Sequence, residues 1–186
     1  YEILRCLVGS EMCIRDREET VVHTLQEKGL TISTAESCTG GLIAKRLTDV
    51  PGASQIFLGG VVSYTNEVKN HVLGVPASLL EAYGAVSAPV ARAMAVGVRV
   101  LTGSDLALSV TGLAGPGGDD QGTPVGTVFT ALSAPEGIFV RRLTLGGSRE
   151  RIRVLSAHHA YDLLRRYLTA VSYTHLRAHE TSQDLV

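Results

Sequence analysis

Three short segments between residues 35 and 69 carry the residue types that a nucleophilic enzyme needs. Residues 35–41 read Ala-Glu-Ser-Cys-Thr-Gly-Gly, residues 51–54 read Pro-Gly-Ala-Ser, and residues 63–69 read Ser-Tyr-Thr-Asn-Glu-Val-Lys. The chain has three lysines against fourteen arginines, and one of the lysines, Lys69, closes the third segment. Burial can neutralise a lysine, whereas an arginine stays protonated in a protein. The segments therefore hold several candidate nucleophiles and one candidate amine base.

Hydrophobic periodicity and turn residues predict helices and strands that alternate through the first two thirds of the chain. The predicted helices are 18–28, 42–47, 66–72, 76–83, 88–101 and 149–168, and the predicted strands are 30–35, 55–63, 105–111, 127–133 and 138–145. The last two strands, separated by Ala-Pro-Glu-Gly, are typical of a β-hairpin. The expected fold is α/β: a single three-layer α/β/α domain with a mixed β-sheet.

Some local features make sharper predictions. The apolar run 55–63 contains two glycines and is typical of a buried strand with a bulge or a close backbone approach. Ser87 and Ser148 are the expected N-caps of the helices that follow them. The small residues of helix 88–101 permit close packing and would suit a helix-packed homo-oligomer. The glycine-rich stretch 112–122 is too irregular for either regular element, and such loops are often functional.

The two ends of the chain are related to one another through a back-translation of their sequences. Residues 171–181 back-translate to a string whose reverse complement, in a shifted frame, encodes residues 7–16. We therefore expect residues 1–16 and 171–186 to be a translated inverted repeat that resembles a sequencing-library adapter and carries no fold information. Residues 17–170 then form the domain.

Composition narrows the functional class. Removing the ends leaves Cys38 as the one thiol, so no disulfide framework is possible and a reducing, cytoplasmic location is expected. No signal peptide pattern and no apolar run of about eighteen residues is found, which argues against secretion and against a membrane partner. A net charge of −1 gives no electrostatic footprint for nucleic acid. The predicted partner is a small molecule.

Several ordered motifs resemble one known family. They are Thr34-Ala-Glu-Ser-Cys-Thr-Gly-Gly41, Pro51-Gly-Ala-Ser-x-x-Phe-x-Gly-Gly-Val-Val-x-Tyr-x-Asn-x-x-Lys69, Gly84-Ala-Val-Ser87, Thr111-Gly-Leu-Ala-Gly-Pro116 and Pro124-Val-Gly-Thr127. Together they look like the CinA C-terminal domain family over residues 18–168. The resemblance implies a nicotinamide-nucleotide amidohydrolase, which deamidates nicotinamide mononucleotide to nicotinic acid mononucleotide and ammonia without a cofactor. Longer CinA proteins also have a separate N-terminal domain, whose activity is not transferred to this chain.

The resemblance implies three catalytic roles. Ser54 would be the nucleophile and Lys69 the general base, with Tyr64 between them to relay the proton or orient the amine. Such a base must be neutral, so its pKa has to fall from about 10.4 toward 7. Lys69 is therefore expected to be buried.

The remaining motifs are expected to bind the substrate. The predicted binding residues are Ser37, Thr39, Gly40, Gly41, Thr111, Gly112, Gly115 and Arg149. The first four offer hydroxyls and backbone donors at a helix N-terminus, suited to a carboxamide oxygen or a phosphate, although capping and tight packing would also explain them. Arg149 would complement a 5′-phosphate bidentately. Asp119 and Asp120 are adjacent and do not make a coordination set, so no metal is predicted.

Three alternatives stay open at the level of sequence. Cys38 is a rival nucleophile because a thiol at a helix N-terminus has a depressed pKa, but no histidine lies in the motif block to serve as its base. The chain could instead be a non-catalytic nucleotide-binding or protein-interaction module linked to competence or the DNA-damage response. It could also hydrolyse a different small amide.

Overall fold

The structure is a computed structural model that describes residues 18–183, with side chains described as far as residue 170. The helices are α1 at 18–28, α2 at Leu42–Thr48, α3 at Asn66–His71, α4 at Ala77–Tyr83, α5 at Ala88–Thr102 and α6 at Arg149–Gln183. The strands are β1 at Ile32–Glu36, β2 at Phe57–Val62, β3 at Leu106–Gly112, β4 at Thr127–Ala134 and β5 at Gly137–Thr144. The predicted adapter segment 1–16 lies outside the described residues.

The five strands form one mixed sheet in the order β2-β1-β3-β4-β5. Strand β1 is parallel to β2 and β3, whereas β4 is antiparallel to both β3 and β5. Because the chain places β2 and β3 on opposite sides of β1, the parallel part has a topological switch point between β1 and β3. Ligand crevices in open α/β sheets form outside the carboxyl ends of the strands at such a point.

Helices cover both faces of this sheet. One core cluster packs α1, α2 and α6 against the sheet and includes Leu25, Ile43, Leu47, Ile152 and Leu164. A second cluster packs α5 and the segment before it against the other face and includes Leu73, Val90, Met94 and Val98. The predicted three-layer α/β/α architecture is confirmed.

Strand β2 differs from its prediction as a buried strand. It pairs with β1 alone and lies at the edge of the sheet, so its residues alternate between half-buried and exposed. The apolar run therefore reflects a half-covered edge. The predicted bulge is present, because Phe57 pairs with Ile32 while Gly59 already pairs with Ser33. The predicted close approach is present as well, since a Cβ on Gly60 would lie 2.3 Å from Thr34 Oγ1.

The small residues of α5 pack within the domain. Ala91 and Ala95 are fully buried and form a cluster with Ala131 of the sheet. A Cβ on Gly97 would lie 1.9 Å from the carbonyl oxygen of Leu73. These small residues therefore pack inside the same chain, and the homo-oligomer stays a prediction.

The two predicted caps behave differently. Ser148 Oγ accepts a hydrogen bond from the N–H of Arg151 at 3.2 Å, as expected for an N-cap of α6. Ser87 occupies the N-cap position of α5, but its hydroxyl donates to the carbonyl oxygen of Gly84 at 2.9 Å and makes no capping bond. Helix α6 continues to Gln183, beyond the predicted end near Leu168. Among the described residues, no helix has both the length and the apolar character needed to cross a bilayer.

Candidate active site

A cavity of about 400 Å³ lies beyond the carboxyl ends of β1 and β3, at the switch point of the sheet. Ser37 and Cys38 follow β1, and Thr111 and Gly112 end β3 on the opposite wall. The segment after β2, the end of α4 with the turn that follows it, the glycine-rich loop and the start of α6 also line the cavity. They contribute Tyr64, Asn66, Lys69, Leu80, Gly84, Ala85, Val86, Leu113, Ala114, Gly115, Gly117, Asp119, Asp120, Gln121 and Arg149.

Lys69 is the central side chain of this cavity. It lies on α3 and is 1% exposed, which is unusual for a lysine. Its Nζ donates to Ser37 Oγ at 3.2 Å and to the carbonyl oxygen of Ser63 at 2.7 Å. Burial lowers the pKa of Lys69 from 10.5 to about 8, a shift that the neighbouring Cys38 opposes. The predicted burial is therefore present, and it raises the neutral fraction of the amine near pH 7 far above that of an ordinary lysine.

Ser37 supplies the hydroxyl that faces this amine. It is the first residue after β1 and is held by two backbone hydrogen bonds: its N–H donates to Val110 O at 2.9 Å, and its carbonyl accepts from Gly40 N–H at 3.0 Å. The side chain is largely buried but borders the cavity. A hydroxyl in this position can lose its proton to the lysine and attack a substrate carbonyl.

Ser54, the predicted nucleophile, lies elsewhere. It belongs to a 3₁₀ turn, Ala53–Gln55, and its side chain is exposed. The turn precedes β2, whereas Lys69 follows β2, so the six residues of the strand separate them. At a rise of about 3.3 Å per residue, the strand itself spans about 20 Å. The predicted Ser54–Lys69 pair is therefore not formed, and Ser37 takes the place next to the amine.

Tyr64 borders the same cavity but does not link a serine to Lys69. Its side chain is exposed, and its hydroxyl accepts a hydrogen bond from Arg149 Nη2 at 2.8 Å. The expected proton relay from Ser54 through Tyr64 is therefore not formed. The tyrosine instead orients a cation at the cavity wall.

Arg149 is the first residue of α6 and connects two sides of the cavity. Its Nη1 donates to the carbonyl oxygen of Gly115 at 2.6 Å, and its Nη2 reaches Tyr64. Both acceptors are neutral. An anionic ligand group would offer the guanidinium stronger, charge-assisted hydrogen bonds in the same place.

The N-terminus of α2 is not free for a ligand, contrary to the expectation for the glycine turn. The buried carboxylate of Glu36 accepts hydrogen bonds from the N–H groups of Gly41, Ile43 and Ala44 at 3.0, 3.1 and 2.8 Å. Gly40 N–H is used by the turn itself. Neither glycine borders the cavity, and Thr39 is buried behind it. Capping explains these residues, and the capping role of Glu36 was missed because its partners follow five to eight residues later.

The residues predicted at the start of the long loop do border the cavity. Thr111 is buried, and its hydroxyl donates to the carbonyl oxygen of Ala85 at 2.7 Å. A Cβ on Gly112 would lie 2.6 Å from Val128 Cγ2, so close packing requires glycine there. Thr111 and Gly112 therefore shape the wall, while Gly115 presents its carbonyl oxygen to Arg149.

Cys38 does not have the properties of a thiolate nucleophile. Burial raises the pKa of its thiol to about 11, and its position before α2 does not compensate for the lost hydration. The side chain belongs to the main core cluster, as expected for a packing residue. Among the side chains of residues 18–170, no group of three or more His, Cys, Asp or Glu is arranged to hold a metal ion.

Comparisons with known proteins agree with this architecture. The model of the CinA C-terminal domain matches residues 14–168. The chain is 55% identical over 153 residues to a protein of Caldanaerobacter subterraneus named as competence-damage inducible, covering 82% of this chain and 37% of the relative. It is 51% identical over 168 residues to a CinA-like protein of Desulfotalea psychrophila, covering 89% of this chain and 41% of the relative. The chain thus spans about two fifths of the length of these curated relatives.

Two similar proteins of known structure are matched by this chain over nearly their whole length. The crystal structure of a CinA superfamily protein from Klebsiella pneumoniae matches with a TM-score of 0.82 and 33% identity, covering 84% of this chain and 98% of the other. The competence/damage inducible protein CihA from Agrobacterium tumefaciens matches with a TM-score of 0.80 and 38% identity, covering 84% of this chain and 95% of the other.

Proposed function

The chain belongs to the CinA C-terminal domain family, and we propose that it is an amidohydrolase with Ser37 as nucleophile and Lys69 as general base. One observation carries the proposal: the buried Nζ of Lys69, with its pKa lowered to about 8, lies 3.2 Å from Ser37 Oγ. At pH 7 about a tenth of such an amine is neutral, against a few parts in ten thousand for an ordinary lysine.

The proposed reaction proceeds in two halves. Ser37 Oγ attacks the amide carbon while its proton passes to Lys69 Nζ, which gives a tetrahedral intermediate. The ammonium then protonates the leaving nitrogen, the C–N bond breaks, and ammonia departs from a seryl ester. Water attacks the ester, its proton passes to Nζ and then to Ser37 Oγ, and the carboxylic acid is released. The carbonyl oxygen of Ser63 holds the amine in place throughout.

The proposed substrate is nicotinamide mononucleotide, as the family resemblance implies. A cavity of about 400 Å³ falls within the range of ordinary small-molecule sites. Arg149 would bind the 5′-phosphate by exchanging its bonds to Tyr64 and Gly115 for charge-assisted ones. The carboxamide would then lie at the Ser37 end of the cavity, and the products would be nicotinic acid mononucleotide and ammonia. Another small amide would leave the chemistry unchanged and alter only the contacts along the cavity.

A second candidate function is favoured by the names of relatives, which refer to competence and damage and to no reaction. In that case the same cavity would bind a nucleotide without hydrolysing it. Calorimetry with nicotinamide mononucleotide combined with an ammonia assay separates the two functions. Heat of binding without ammonia release would support the module and reject the hydrolase.

The decisive experiment measures ammonia release from nicotinamide mononucleotide by four single variants. Ser37→Ala and Lys69→Ala should each lower kcat by about 10³-fold or more, as expected when a member of a catalytic unit is removed. Ser54→Ala is the matched control, because it makes the same change at an exposed serine, and it should retain wild-type turnover. Cys38→Ala should also remain active. Loss of activity in Ser54→Ala with an active Ser37→Ala would reject the assignment.

A further inference from the structure

A second arginine of α6 contacts the turn that carries Ser37. Arg153 lies one helical turn after Arg149 and is half-buried. Its Nε donates to the carbonyl oxygen of Cys38 at 3.1 Å, and its Nη2 donates to the carbonyl oxygen of Thr39 at 2.8 Å. The two acceptors are consecutive in the chain, so one planar guanidinium holds two neighbouring peptide groups.

These two bonds fix the turn between β1 and α2. In a trans peptide the carbonyl and the following N–H point in opposite directions. Holding Thr39 O toward α6 therefore aims the N–H of Gly40 the other way, where it donates to Ser37 O at 3.0 Å. Holding Cys38 O fixes the Cys38–Thr39 peptide plane, the second plane after the serine. The Ser37–Cys38 plane is held in turn through the bond from Gly40 N–H to Ser37 O.

The fit between the arginine and the turn is close. Gly40 has a φ of +62°, and a Cβ at that position would lie 3.3 Å from Arg153 Nη2. Glycine both permits this backbone conformation and lets the guanidinium approach. Arginine suits the site because its fork of donors is rigid and stays charged.

We propose that Arg153 is a positioning residue that sets the Ser37–Lys69 geometry; this inference rests on the proposed function. Ser37 Oγ and Lys69 Nζ are 3.2 Å apart, already near the long end of the hydrogen-bond range. A displacement of the turn by about 0.5 Å would break proton transfer between them. Because Arg153 contacts the turn but does not line the cavity, its loss should affect turnover far more than substrate binding.

The test compares Arg153→Met, which keeps the packing of the stem but removes the donors, with Arg153→Lys. The control is Arg151→Ala, which removes an exposed arginine of the same helix. The first assay measures the rate at which a fluorophosphonate probe labels Ser37, and peptide mass mapping identifies the labelled residue. The probe is suitable because labelling requires an activated serine but no particular substrate. The second assay is kcat and KM for nicotinamide mononucleotide, with thermal unfolding recorded for every variant.

Arg153→Met should lower both the labelling rate and kcat by about 10- to 100-fold and leave KM within about twofold, as a misplaced reactive group does. The pH midpoint of labelling should not move, since Lys69 keeps its surroundings. In Arg153→Lys the labelling rate and kcat should fall by about 5- to 10-fold, because an ammonium lacks the planar fork of donors. Added guanidinium ion should partly restore labelling in Arg153→Met, and Arg151→Ala should match the wild type.

The inference and the proposed function fail in different ways. If wild-type protein neither labels at Ser37 nor releases ammonia, the hydrolase proposal fails. If wild-type Ser37 is labelled and Arg153→Met is labelled within about twofold of that rate, the positioning role is wrong and the hydrolase stands. A rise in KM without a fall in kcat, or a shifted pH midpoint, would also overturn it. If Arg153→Met does not fold, a fall of less than twofold in the labelling rate and kcat of Arg153→Lys would contradict the positioning role of Arg153.

Discussion

Lys69 Nζ lies 3.2 Å from Ser37 Oγ, although the two residues are 32 positions apart and belong to different elements. Ser37 directly follows β1, and α3, which carries Lys69, follows β2, the neighbouring parallel strand. The carboxyl ends of parallel strands meet at one edge of a sheet, so the topology brings the alcohol and the amine together. Burial of that edge then lowers the pKa of the amine and makes it a usable base.

The pH dependence of turnover should follow the deprotonation of Lys69. With its pKa lowered to about 8, kcat/KM should rise with pH through a midpoint near 8 and level off above it, because the neutral amine is the reactive form. The measurement is ammonia release from nicotinamide mononucleotide over about pH 6 to 10. Ser54→Ala should give the same curve. A flat profile across this range would contradict Lys69 as the base.

Replacing Lys69 should abolish activity without destabilising the fold at neutral pH. The pKa of Lys69 is lowered by burial, from 10.5 to about 8, so between these values the unfolded chain binds more protons than the native one and stability rises with pH. The full effect of this shift is about 3 kcal/mol. Below pH 8 the native state must hold a buried charge. Lys69→Met removes that charge, at the expense of two hydrogen bonds.

Urea unfolding of Lys69→Met and wild type at several pH values checks this prediction. Near pH 7 the free energy of unfolding of the variant should equal or exceed that of the wild type. As the pH rises from about 8 to 10.5, the free energy of unfolding of the wild type should increase relative to that of the variant. A variant that is several kcal/mol less stable at pH 7, or a difference that does not depend on pH, would contradict the assigned burial.

Much of the fold follows from patterns along the chain. The predicted helix 42–47 and strand 105–111 agree with the observed elements to within about a residue at each end, because each is bounded by glycine or polar turn residues and has a clear apolar period. Strand β2 shows the limit of that reasoning. A continuous apolar run is typical of a strand covered on both sides, yet its position in the sheet is a tertiary property that the run does not encode.

The sequence singled out the buried lysine of the cavity but not the serine beside it. Lys69 stood out because it follows an apolar strand and lysines are rare in this chain. The resemblance points to Ser54, but a residue before β2 lies at the amino edge of the sheet, away from a lysine that follows the strand. Ser37 follows β1 and so lies at the carboxyl edge. The rule that ligand sites form at that edge would have selected Ser37.

Arg149 should determine affinity for a phosphorylated substrate. Arg149→Ala should raise KM for nicotinamide mononucleotide by about 10- to 100-fold with a smaller effect on kcat, because the guanidinium would contact the phosphate and not the amide. The KM of Arg149→Lys should lie between those of the wild type and Arg149→Ala, since an ammonium cannot make the bidentate contact. Nicotinamide riboside, which lacks the phosphate, is the matched control substrate. An equal loss with both substrates would show that Arg149 acts on the fold of the cavity and not on the phosphate.

Glu36 should stabilise the turn that carries Ser37. Its carboxylate accepts from three backbone N–H groups at the start of α2, where it also offsets the positive end of the helix dipole. Glu36→Gln keeps the shape but removes the charge and turns one acceptor into a donor that faces the N–H groups. It should lower the free energy of unfolding by about 1–3 kcal/mol, the usual effect of leaving buried donors without an acceptor.

The matched control for this change is Glu67→Gln, which alters an exposed glutamate in the first turn of α3. It should change stability by less than about 0.5 kcal/mol, as surface substitutions usually do. Urea denaturation of both variants gives the comparison. Because Ser37 is the next residue after Glu36, kcat should fall in Glu36→Gln but not in Glu67→Gln. Equal stability of the two variants would mean that solvent or neighbouring backbone can replace the carboxylate, and that the turn is held from the Arg153 side alone.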